Sequence, residues 1–465
     1  MNNLNFLVDV LKESPVFKTL EKNVKPGRTV CASGLSTINK SNIIYALCRL
    51  KGVTAFCLAS DEKEAQTLCN DLSCMGLRAY VYPVRDFNFL DFQSRSHEYE
   101  HARLKVLLKL INHECDVAIA CVDAAAQLTV PRNVLEQSVI EFEEGRELSL
   151  EKATKALTLL GYERFDAVEG SGQFSLRGGI LDFFMPDSDY PVRCEFWGDE
   201  ITDLSYFDIE TQRRFKKADK ITLSPSTEIV IEDRAALADK IEHKAKLLRS
   251  KNSAKAKEKL FSEAELIRSG AMIANADKFI NQIYDKPESL FDYFDRNTLV
   301  FASEFTAIQE RGKSMDFISN ETLMQGFEDG TLCRGFDRFA LTFNECTEFL
   351  QSHGTIVLEN FVHGSMPLKL SEIISFSTKQ LSAWGGSYKQ LKEDVDGLFT
   401  PESRGVIFAG TERAAKNLCD TFNADGINAV YSEGADKISK GELLVMQGAL
   451  SAGFEYPSQK FFAIT

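Results

Sequence analysis

Four short runs between Gly161 and Arg214 limit most tightly what this chain can fold into. Gln173 to Arg177, Ile180 to Phe184, Val192 to Trp197 and Ile201 to Phe207 alternate apolar and polar residues. They are separated by Gly178-Gly179, by Met185-Pro186-Asp187-Ser188-Asp189 and by Gly198-Asp199. Such alternation, bounded by Gly, Pro and Asp, specifies antiparallel strands joined by tight loops. Gly198-Asp199 supplies the positive-φ tolerance that a hairpin needs. The runs predict a small meander with one packed and one wet face. Arg177 stands where a strand meets Gly178-Gly179, and Arg164 lies just upstream, in the loop after a helix. Two guanidiniums on a rigid sheet suit recognition of a protein partner, because a bidentate fork needs a fixed stem. No nucleophile, base or metal set accompanies them.

The meander is a fraction of the whole. At 465 residues the chain is too long for one core, and three to four units of ordinary size are expected. A hydrophobic content of 44% with 26% charged residues is that of a folded protein. The net charge of −14 argues against binding nucleic acid through bulk electrostatics. Eleven cysteines fall without a C-x-x-C pair, so neither a zinc site nor a disulfide framework is indicated, and no cofactor is expected. No apolar stretch approaches membrane-spanning length, and the sequence begins without a secretory signal, so a cytoplasmic protein is expected.

Strands at Arg28 to Ala32, Val53 to Leu58, Ala79 to Val81 and Val117 to Ala120 alternate with helical patterns at Ile43 to Leu50, Asp61 to Met75 and Tyr99 to Ile111. That order implies a parallel sheet with crossovers. A short helix, Asn5 to Leu11, precedes it and ends near Ser14-Pro15. Asp233 to Ile283 is polar and helical, with mixed charge at four-residue spacing. Phe291 to Ile308, His353 to Glu359 and Glu372 to Phe376 return to strand patterns. From about Thr378 a new α/β pattern starts, with helices at Tyr388 to Leu398 and Thr411 to Phe422. Its strands are Gly405 to Ala409, Ala429 to Tyr431, Glu442 to Met446 and Phe461 to Thr465, the last of which reads as a truncation. The basic run Arg213, Arg214, Lys216 and Lys217 reads as a solvated face.

Two stretches look like sites and are weighed against blander readings. Gly34-Leu35-Ser36-Thr37-Ile38-Asn39-Lys40-Ser41 keeps the first Gly, the Lys and the Ser of G-x-x-x-x-G-K-[ST], but Asn39 replaces the second Gly, which lets backbone N–H groups converge on phosphate. His97 to His101 spells H-E-x-x-H. With a helix starting near Tyr99, His97 falls at its frayed beginning and no third ligand follows. The reading is therefore a polar helix start, with Glu98 or Arg103 pairing locally or toward Arg85 and Asp86.

The string GSGQFSLRGGILDFF, followed by PVRCEFWGDEITDLSYFDIETQRR, resembles the UvrB-homology module of the bacterial transcription-repair coupling factors, the Mfd family. The stretches Val81 to Phe89, His97 to Arg103 and Gly448 to Pro457 carry the same likeness. The resemblance implies an α/β fold: a discontinuous, degenerate P-loop-like parallel-sheet domain (1–138 and 221–377), an inserted small antiparallel β domain (139–220) and a C-terminal small α/β domain (378–465). It further implies that the inserted domain docks the excision-repair protein UvrA, through positions matching Arg164 and Arg177. UvrB-type chains carry one more Arg in that run, where Ser175 stands here. The metal carboxylate of active helicases corresponds to Ser303, although Glu304 persists. Gly34, Asn39, Lys40, Ser41 and Glu304 are thus expected to be remnants of a nucleotide site, with no catalysis and no metal. RNA polymerase and DNA are implied as partners through domains of the family absent from this sequence, as is an autoinhibitory contact with a C-terminal domain. The rival readings are a UvrB-like ATP-binding helicase fragment and a module that only covers the family's ATP-dependent DNA translocase motor.

Overall fold

A computed structural model describes residues 4–85, 97–249, 253–270, 276–361 and 366–465. Seven strands form a parallel sheet in the order Glu372–Ser375, Val30–Ser33, Thr355–Leu358, Leu299–Ser303, Ala55–Ala59, Val117–Cys121, Ala79–Tyr82. The five inner strands are buried along their whole length, as unbroken apolar runs in a two-sided sheet must be. Helices Thr37–Lys51 and Glu62–Cys74 cover one face with Ile43, Ile44, Leu68 and Leu72. Glu98–Ile111 and Phe343–His353 cover the other, where the Phe56 ring stacks on Phe294 at 4.7 Å. Leu299–Ser303, from beyond the insertion, pairs with Ala55–Ala59, so this sheet is assembled from two separated stretches of chain.

The inserted stretch builds a second sheet, ordered Arg214–Lys217, Glu200–Phe207, Val192–Trp197, Ile180–Phe183, Gln173–Arg177, Glu163–Arg164. Phe174, Leu181, Phe183, Val192, Cys194 and Leu204 make its inner face, closed by Ala153 and Leu157 of helix Leu150–Leu159. The hairpin turns at Gly198 with φ of 62°. At its root, Ile140–Glu143 and Lys220–Leu223 pair antiparallel, so the strands that enter and leave this unit form one ribbon.

A third sheet runs Lys379–Leu381, Gly453–Tyr456, Phe461–Ile464, Arg404–Ala409, Glu442–Gln447, Ala429–Ser432. Its central strands are apolar on both faces. Ile407, Leu443 and Val445 face the helices Tyr388–Leu398 and Glu412–Ala424, whereas Val406, Phe408, Leu444 and Met446 join the core of the first sheet's helices. There the N-terminal helix Asn5–Lys12 bridges the two, with Phe6 at 6.1 Å from Phe461.

The parallel strands of the first and third sheets carry an internal repeat in sequence. Ala55–Tyr82 recurs 350 positions later, without a gap, as Gly405–Ser432, with Ala59/Ala409, Glu62/Glu412, Ala65/Ala415, Leu68/Leu418, Cys69/Cys419, Gly76/Gly426 and Ala79/Ala429 identical. The Cys69 thiol donates to the Ala79 carbonyl at 3.3 Å, and the Cys419 thiol to Ala429 at 3.2 Å. Gly76 and Gly426 both turn at positive φ. In each sheet the third strand, Val117–Cys121 or Glu442–Gln447, inserts between the first two.

Three boundaries differ from expectation. Helix Thr37–Lys51 begins directly after Gly34-Leu35-Ser36, so Asn39, Lys40 and Ser41 lie in its first turns rather than in a loop. Ser14-Pro15 ends one helix and starts another, Pro15–Asn23, because Ser14 caps Phe17 N–H and Pro sits at the first helical position. Arg164 lies on a two-residue strand that pairs parallel with Gln173–Arg177.

Candidate functional site

The residues expected to be nucleotide-site remnants come together, but they satisfy one another. The Gly34 and Leu35 N–H groups, which a phosphate would need, donate to the Asn360 and Glu359 carbonyls at 3.1 Å each. Gly34 has φ of 79°, and a Cβ there would overlap the Phe376 carbonyl. Lys40 is 2% exposed, and its three N–H bonds go to Glu304 at 2.6 Å, Ser303 Oγ at 2.9 Å and Glu64 at 3.2 Å. An ammonium has three donors, so none remains for a phosphate oxygen. Ser303 Oγ donates to Glu64 Oε1 at 2.6 Å. Ser41 hydroxyl donates to Asp71 at 3.2 Å, and the same carboxylate accepts from Ser451 Oγ at 2.8 Å. Asn39 Oδ1 accepts from Ser36 at 2.7 Å. Burial pushes the Glu64 carboxyl up, but the Lys40 charge and the Ser303 and Ser60 bonds outweigh it and hold Glu64 below its ordinary value.

Glu359 behaves oppositely. Burial first, and then the neighbouring Glu304 carboxylate, push its carboxyl up from 4.5 to about 7. Below pH 4.5 the group is protonated folded and unfolded alike. As pH rises toward 7, the unfolded chain releases its proton first and the native state loses about 3 kcal/mol. Glu359→Gln is expected to flatten the fall in denaturant stability between pH 5 and pH 7; an unchanged slope would assign it to other groups.

At the base of the inserted unit lies a buried ion cluster that sequence reasoning missed. Arg103 does not pair locally. Its Nε donates to Glu228 Oε1 at 2.6 Å, its Nη1 to Gln127 at 2.8 Å, and its guanidinium lies 4.2 Å from the Tyr82 ring centroid. Arg85 reaches Asp277 at 3.3 Å and Glu228 at 3.7 Å; Asp86 lies outside the described residues. Glu100 accepts from Thr227 Oγ1 and Glu228 N–H, both at 2.8 Å, and from His97 Nδ1 at 2.9 Å. Burial raises its carboxyl, yet the His97 bond and the Arg85 charge bring it down to about 2. His101 packs against Gly172, where a Cβ would meet its ring, and burial lowers its pKa. The H-E-x-x-H letters therefore join helix Glu98–Ile111 to the inserted unit, and among the described residues no three His, Cys, Asp or Glu side chains converge as metal ligands.

The outer face of the second sheet holds Arg177, the first of the two arginine candidates. Register pairs Arg177 with Ile180, Ser175 with Asp182, and Asp182 with Arg193. Asp182 is 1% exposed and accepts from Arg177 Nη2 at 2.8 Å and from Arg193 Nε and Nη2 at 2.7 and 2.8 Å. Arg193 also bonds Gln212 and lies 4.4 Å from the Phe207 ring centroid. The Arg177 side chain is 51% exposed. Arg164 is exposed and pairs with Phe174, so pleat parity puts Glu163, not Arg164, in the row of Ser175 and Arg177. The two arginine Cα positions are roughly 11 Å apart by strand spacing and rise. The structure therefore does not bring the guanidiniums side by side. Ser175 is buried, its hydroxyl donating to the Asp166 carbonyl at 2.8 Å, so this position is closed by its own loop.

A family profile described as the UvrB interaction domain matches residues 140–229, the stretch from the root ribbon through the second sheet to Ile229. The transcription-repair-coupling factor of Bacillus subtilis (strain 168) is 26% identical over 469 aligned positions, which take in 98% of this chain and 39% of that protein. Along nearly its whole length, then, this chain is similar to transcription-repair coupling factors. The likeness extends well past the inserted unit, since the coupling factor of Staphylococcus aureus (strain MRSA252) is 22% identical over 99% of the chain. That of Staphylococcus epidermidis (strain RP62A) is 26% identical over 83%. The chain spans about two-fifths of the length of the first of these relatives. Among the described residues no helix is long and apolar enough to cross a membrane.

Proposed function

We propose that this chain is the UvrA-recruiting part of a transcription-repair coupling factor and that it carries no catalysis of its own. The observation that carries the reading is Arg177, a half-exposed guanidinium on a rigid sheet inside the UvrB interaction domain. A fork held on strands reaches a partner carboxylate with little side-chain freedom to lose. Arg164, exposed at the sheet edge, extends the same footprint around the rim. The filled surroundings of Lys40 support the absence of nucleotide hydrolysis. The units of the reading are 1–138 with 221–377, 139–220, and 378–465. Contacts with RNA polymerase and DNA, and the DNA translocase activity, are assigned to parts of a full-length coupling factor that this chain does not match. Covering of the UvrA-docking face within the intact protein is the proposed route to autoinhibition.

Titrating UvrA against the chain tests this. Arg177→Ala is expected to cost about 2 kcal/mol of binding, near thirtyfold in Kd. Arg164→Ala, at the rim, is expected to cost less than half of that. Binding left intact in the Arg164→Ala, Arg177→Ala double variant would remove the assignment.

A further inference from the structure

We propose that Asp182 is a positioning residue for partner binding: it fixes Arg177 by one Nη2 bond, so that the remaining edge of the guanidinium takes a carboxylate of the partner. The inference rests on the docking reading above and identifies the chemistry of that site. Asp182 is the buried member of a three-residue ladder crossing adjacent strands, Arg177, Asp182, Arg193. Arg193 already meets it with a two-pronged fork, at 2.7 and 2.8 Å, and is itself tethered to Gln212 and to the Phe207 ring. The Asp182 charge is thus balanced before Arg177 is counted. Two guanidiniums and one carboxylate leave a net positive charge, on the member that is half exposed. Only Arg177 Nη2 is engaged, and its Nε and Nη1 have no partner among the described residues.

This arrangement differs from an ordinary surface ion pair. There, both charges are wet and the geometry is loose. Here the acceptor is buried and immobile, so the Arg177 fork is aimed before the partner arrives, and the ordering cost of binding falls. A carboxylate is the group that matches a planar guanidinium edge. The partner surface facing Arg177 is therefore acidic.

A double-mutant cycle on the full chain tests the proposal, with UvrA binding followed by calorimetry and folding by thermal melting. Asp182→Asn is expected to weaken binding about tenfold when Arg177 is present and less than twofold in the Arg177→Ala background, because residues that act through one another do not add. Equal loss in both backgrounds, or no loss with Arg177 present, overturns the positioning role while leaving the docking reading standing. No effect of Arg177→Ala itself overturns the docking reading instead. Should Asp182→Asn fail to fold, Arg177→Lys serves. A lysine keeps the charge but not the shared fork, so its affinity is expected within about threefold of Arg177→Ala. Near-native affinity for Arg177→Lys overturns the aimed-fork account.

Discussion

Lys40→Met is expected to destabilise the protein by about 4 kcal/mol in urea unfolding, although the sequence places this lysine where a nucleotide would be held. The size follows from what it would leave behind. Glu64 and Glu304 would lose their cation in a site where Glu64 is nearly buried, and removing one partner of a buried pair costs about 3–5 kcal/mol. Partial exposure of Glu304 lets water return, which keeps the loss from the top of that range. Glu64→Gln added to Lys40→Met is expected to recover part of it. A lysine waiting for phosphate behaves oppositely: its removal leaves the ligand-free protein as stable as before, and magnesium-ATP raises the melting temperature by mass action. Either result would reinstate the helicase reading. An unmoved melting temperature with nucleotide, beside an unstable Lys40→Met, supports a site filled by its own chain.

The second large effect is expected at Arg103. Arg103→Met removes the counter-charge of Glu228, for which both side chains are 0% exposed, and leaves Gln127 Oε1 with the Arg85 N–H in place of two donors. The expected loss is about 4 kcal/mol, and Glu228→Gln in the same background is expected to restore at least half. Arg85 stays within 3.7 Å of Glu228 and takes up part of the charge, which is why the loss stops short of unfolding. A cost under 1 kcal/mol for Arg103→Met would mean that water, not the guanidinium, solvates Glu228.

How much of this was legible depended on whether the signal was local. The strand Val192–Trp197 and the helix Tyr388–Leu398 appear at the residues their periodicity specifies, since alternation and helical spacing are properties of a short window. Asn39 and Ser303 could be singled out because each departs from a residue type that phosphate chemistry requires. The partners of Lys40 were not legible: Glu64 is 24 positions from it and Ser303 is 263, and only the sheet order brings them together. The same holds for Glu228, 125 positions from Arg103. Helix Phe305–Asp329 went unread because Gly312, Gly326 and several Ser, Asn and Thr residues dilute its pattern. The opposed rows of Arg164 and Arg177 required the strand register. The repeat of Ala55–Tyr82 at Gly405–Ser432 was present in the sequence throughout and needed only comparison of the chain with itself.

The root ribbon of Ile140–Glu143 and Lys220–Leu223 carries one more consequence. Because Glu143 and Lys220 are register partners, the two points where the chain departs from and rejoins its scaffold are only about 5 Å apart. A lobe attached through such a narrow doorway can be lost, gained or exchanged as a cassette without moving any strand of the large sheet. Such a head could be revised toward a new partner while the large sheet beneath it kept its strand order.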